Sequence, residues 1–95
     1  MTKISVFAVL AVLNEEDVEG LQALGACADE YDAEAQMIAA AVAQLGPNDL
    51  VPDRVLEIVA DVCSRMFGPF DEEQLRRRQP VYSRVAERIL SLIAG

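Results

Sequence analysis

Asp29-Glu30-Tyr31-Asp32-Ala33-Glu34-Ala35 closes an irregular acidic segment and opens a stretch so rich in alanine that helix is favoured over any alternative. Asp32 is the expected N-cap, because a carboxylate there accepts from the orphan amides of the next turn. Glu34 falls in the first turn, where negative charge suits the helix dipole, and Tyr31 is expected to pack over the helix start. The spacing of Ile38, Val42 and Leu45, with Met37 beside them, carries this helix from Ala33 to Leu45. Gly46-Pro47 stops it.

Downstream, Pro52 suits the first position of a further helix. Val55, Leu56, Ile58, Val59, Val62, Cys63, Met66 and Phe67 give that helix a wide apolar face, which predicts the most buried helix of the set. Gly68-Pro69 ends it. Asp71 with Gln74 three positions later forms an expected capping box. Pro80 removes a backbone donor and clashes with the turn before it, so a break or kink near Gln79 is expected before a last helix reaches Ala94. The apolar positions of that helix are Val81, Val85, Ile89 and Leu92, with Tyr82, Ala86, Leu90 and Ile93 alongside.

Upstream, Asn14 to Glu30 shows no sustained periodicity and contains Gly20 and Gly25. Before it, Ile4 to Leu13 is apolar almost throughout, at half the ~20 residues a helix needs to cross a bilayer. Lys3 ahead of this run and Leu24-Gly25-Ala26-Cys27 behind it mimic a secretory leader. A leader's apolar core abuts its cleavage site, however, and here Asn14-Glu15-Glu16-Asp17-Val18-Glu19 intervenes. A buried first helix is the expectation instead. No strand-like alternation, repeat or low-complexity tract occurs. The fold class expected is all-α: residues 1–95 as a single domain, a compact bundle of four to five helices.

Ninety-five residues suffice for one core. The net charge of −8 is unevenly spread. Residues 1–34 hold Lys3 against eight acidic side chains, whereas 64–95 hold six arginines against four acidic ones. An acidic front and a basic back can attract each other within the fold or between copies. The acidic balance disfavours nucleic acid and anionic membrane as partners. Cys27 and Cys63 form no dense framework, which points to a reducing cytoplasm.

Asn14, Asp17 and Gly20, an irregular spacer and then Asp29-Glu30-Tyr31-Asp32 at a helix start resemble a family of small bacterial proteins, the domain-of-unknown-function family numbered eighteen seventy-one. That family carries Asn-x-Trp-Asp-Pro-x-Gly before Asp-Glu-Tyr-Asp. This chain has Glu16 in place of the Trp and Val18 in place of the Pro. The resemblance implies a short helical protein from the bacterial cytosol and lends no activity.

Catalytic and metal chemistry find little material. Histidine is absent, which removes the commonest general base and transition-metal ligand. No CxxC, no glycine-rich phosphate loop and no base beside Ser64 or Ser83 is present. No catalytic residue, cofactor or metal is expected. Asp17, Asp29, Glu30, Asp32 and Glu34 offer carboxylates to a hard cation but match no EF-hand spacing, so a divalent-cation binder is an alternative only. Arg76-Arg77-Arg78 follows Asp71, Glu72 and Glu73 and is expected to be a solvated face with local ion pairs.

The function expected is that of a small acidic cytoplasmic protein that binds another protein. The contact residues expected are Glu15, Glu16, Asp17, Glu19, Asp29 and Glu30, steering a partner with a basic surface. An immunity- or antitoxin-like inhibitor of a basic protein is one alternative. A homodimer or larger homo-oligomer paired through Ile4–Leu13 is another.

Overall fold

Ser5 begins the first helix, its hydroxyl accepting from the Ala8 amide at 3.4 Å, and α1 runs from Val6 to Glu16. The computed structural model describes residues 3–18 and 31–94. Glu19, Gly20, Gly25, Cys27, Asp29 and Glu30 therefore lie outside the described residues. Three further α-helices follow: α2 (Asp32–Ala43), α3 (Pro52–Phe67) and α4 (Glu72–Ala94), with a 3-10 turn, Pro47–Asp49, between α2 and α3. The all-α class holds, with four α-helices and no strand among the described residues.

α1 and α3 each pack against both α2 and α4, which makes a four-membered ring around one core. The core is filled by Val9, Val12 and Leu13 of α1, Ala35, Ile38 and Val42 of α2, Val55, Val59 and Cys63 of α3, and Tyr82, Val85 and Ile89 of α4. A Cα radius of gyration of 12.5 Å agrees with the roughly 12–13 Å of a compact chain this long. No helix is more central than its neighbours. The expected most-buried helix, α3, is one wall of the ring. Arg54, Glu57, Asp61 and Arg65 turn outward from it and pair at 3.6 Å (Arg54–Glu57) and 3.2 Å (Arg65–Asp61).

Several punctuation marks act as expected. Pro52 sits in the first turn of α3, and α3 stops at Gly68. The capping box is complete: the Gln74 amide donates to Asp71 Oδ1 at 2.8 Å, and the Asp71 amide donates to Gln74 Oε1 at 3.0 Å. Two expectations need correction. Asp32 does not cap α2. It lies inside the helix, where Oδ2 accepts from Gln36 Nε2 one turn on at 2.8 Å, and Tyr31 occupies the cap position without a side-chain cap bond. The helix starts one residue earlier than expected because the Tyr31 carbonyl already accepts from the Ala35 amide at 2.9 Å.

Of the break or kink expected near Gln79, the break does not occur: residues 72–94 form one helix with Pro80 inside it. Pro80 is exposed, at the point where the solvent-facing half of α4 passes into the half packed by Tyr82, Val85, Ala86 and Ile89. Proline offers no amide to the carbonyl of exposed Arg76 one turn earlier, and the burial that follows outweighs this local cost.

Candidate functional site

α1 ends on Glu15 and Glu16, which are acidic residues at the negative end of a helix dipole and destabilising there by themselves. α4 supplies the counter-charges. Arg84 Nε donates to Glu16 Oε1 at 2.9 Å, Arg88 Nη1 to Glu16 Oε2 at 3.3 Å, and Arg88 Nη2 to Glu15 Oε1 at 2.8 Å. Arg84 and Arg88 stand one turn apart on α4, so both guanidinium groups reach the same end of α1. The Glu16 side chain is only 17% exposed, so solvent screens it less than an ordinary surface carboxylate.

The hydrogen bond from Arg84 is the main cause that holds the Glu16 carboxyl below its ordinary range. The positive charge of Arg84 and the bond from Arg88 add to it, and partial desolvation works in the opposite direction. The same contacts, first the bond to Glu15, raise Arg88 further above neutrality. A carboxyl whose folded-state pKa is depressed stabilises the fold fully above its unfolded value of ~4.3 and loses that contribution as pH falls through the folded value. Glu16→Gln is accordingly expected to lower stability by about 1 kcal/mol at pH 7 and by progressively less below pH ~4.3. Urea melts of both forms from neutral to acid pH read this out; a deficit that stays constant with pH would show that the clasp is not ionic.

Asp17 follows in the left-handed region, at φ 49°, a conformation that aspartate tolerates better than most residues. Its Oδ1 accepts from the Tyr31 hydroxyl at 2.8 Å. The Tyr31 ring is fully buried and meets Phe67 of α3 edge-on, with centroids 6.2 Å apart. Of the residues expected to greet a basic partner, Glu15 and Glu16 thus face arginines of their own chain, and Asp17 anchors a core tyrosine. Glu19, Asp29 and Glu30 lie outside the described residues. Glu34 is 3% exposed rather than solvated.

The basic run of α4 is locally engaged. Arg77 pairs with Glu73 at 2.8 Å, and Arg78 stacks over Phe70, 3.8 Å from the ring centroid, while donating to the Gln74 carbonyl. Among the described residues there is no pocket and no cluster of three or more metal-ligating side chains. No helix among them is long and apolar enough to cross a membrane.

The sequence offers Ile4–Leu13 as a pairing surface without marking which side of α1 faces outward. Its core side is Val9, Val12 and Leu13, and the opposite side carries Phe7, 83% exposed, with Ala11 one turn on, also exposed. Ile4, Ala8 and Leu10 flank these two and are half-buried. α1 is therefore half-buried rather than buried: in a run that is apolar at every position, periodicity does not mark which side faces water.

Comparison with protein-family models, curated proteins and solved structures finds no match to this chain. The resemblance carried by Asn14, Asp17, Gly20 and residues 29–32 stands on those residues alone.

Proposed function

We propose that this chain is a non-catalytic protein-interaction module whose contact surface is the outward face of α1. The observation that carries this is Phe7, a large aromatic ring left 83% exposed on a helix whose other side completes the core. Aromatic side chains are the commonest anchors of interfaces, because they desolvate a large area at low conformational cost. The acidic residues at the end of α1 support the shift away from a purely electrostatic surface, since Glu15 and Glu16 are neutralised by Arg88 and Arg84. Buried Cys63 suits a reducing cytoplasm. Membership of the family numbered eighteen seventy-one belongs to the same proposal and rests on the pattern from Asn14 to Asp32.

Capture by immobilised protein, of a second copy or of another chain, is expected to disappear in Phe7→Ser while the melting temperature is unchanged. If capture survives Phe7→Ser but is lost on charge reversal at Asp29 and Glu30, the contact belongs to the acidic segment. The inhibitor of a basic protein then becomes the better account. Capture by neither form would end the interaction-module proposal.

A further inference from the structure

We draw no further inference here: the strongest candidate, the outer apolar side of α1 around Phe7 and Ala11, belongs to the contact surface already proposed, and nothing in the structure shows what covers it.

Discussion

Tyr31→Ala is expected to cost about 3–5 kcal/mol, the range for removing a fully buried aromatic ring from a core that relaxes only in part. A chain of 95 residues has roughly 5–14 kcal/mol in total at 0.05–0.15 kcal/mol per residue, so this one change removes a large share. The site explains why the effect is large. Tyr31 stands at the start of α2, its ring meets Phe67 at the end of α3, and its hydroxyl donates to Asp17 just past the end of α1. Three helix ends converge on one side chain. Tyr31→Phe separates the two contributions: it keeps the ring and removes the bond to a carboxylate, worth about 1.5–3 kcal/mol at most. Urea unfolding followed by far-ultraviolet circular dichroism measures both. A loss below ~1 kcal/mol for the alanine variant would mean that the ring is not part of the core.

Gly68→Ala is expected to cost roughly 1–3 kcal/mol, or more if the turn cannot shift, for a reason unrelated to unusual dihedral angles. Gly68 has φ −87° and ψ −158°, which any residue adopts. The constraint is space. A Cβ at this position would enter the hard contact distance of the Ser64 carbonyl oxygen and lie 2.9 Å from the Phe70 amide nitrogen. Both are backbone atoms, and the Ser64 carbonyl is held by the Gly68 amide itself at 2.9 Å, so neither can rotate aside. Gly46→Ala is the matched control. A Cβ there meets nothing within 4 Å, and the extended backbone at φ −79° and ψ 170° suits alanine before proline. That variant is expected to be neutral or up to about 1 kcal/mol more stable, through a less disordered unfolded chain. Equal destabilisation by the two alanines would remove the steric argument at Gly68.

These glycines show where sequence reasoning stops. Gly46-Pro47 and Gly68-Pro69 look alike as helix stops, but only α3 stops at its pair; α2 ends at Ala43, short of the expected Leu45, as the Gln44 and Leu45 amides bond back only three residues, to the Ala41 and Val42 carbonyls at 3.2 and 3.0 Å. Which of them is crowded depends on how the chain folds back over its own last turn, which is a property of the turn geometry and not of the dipeptide. The acidic end of α1 teaches the same lesson. Charge counting exposed an acidic front and a basic back that could attract each other. It could not select Arg84 and Arg88 over the Arg76-Arg77-Arg78 run, because that choice needs the side-by-side packing of α1 and α4.

By itself the sequence determined the all-α class, the capping box at Asp71 and Gln74, the role of Pro52, the stop of α3 at Gly68-Pro69 and most of the core of α2, α3 and α4. These follow from local rules: which residues satisfy a helix end, which cannot continue a helix, and which recur every three or four positions. Only the tertiary structure decided that α4 runs unbroken through Pro80, that Tyr31 rather than Asp32 stands at the head of α2, and that Phe7 faces water. In each case burial or its absence outweighs a local preference. Packing beyond Pro80 sustains a helix that the proline opposes, and the space between α1 and α3 admits the tyrosine ring. The ring of four helices closes around Val9, Val12 and Leu13, and among the described residues no second wall covers Phe7 on the opposite side of α1.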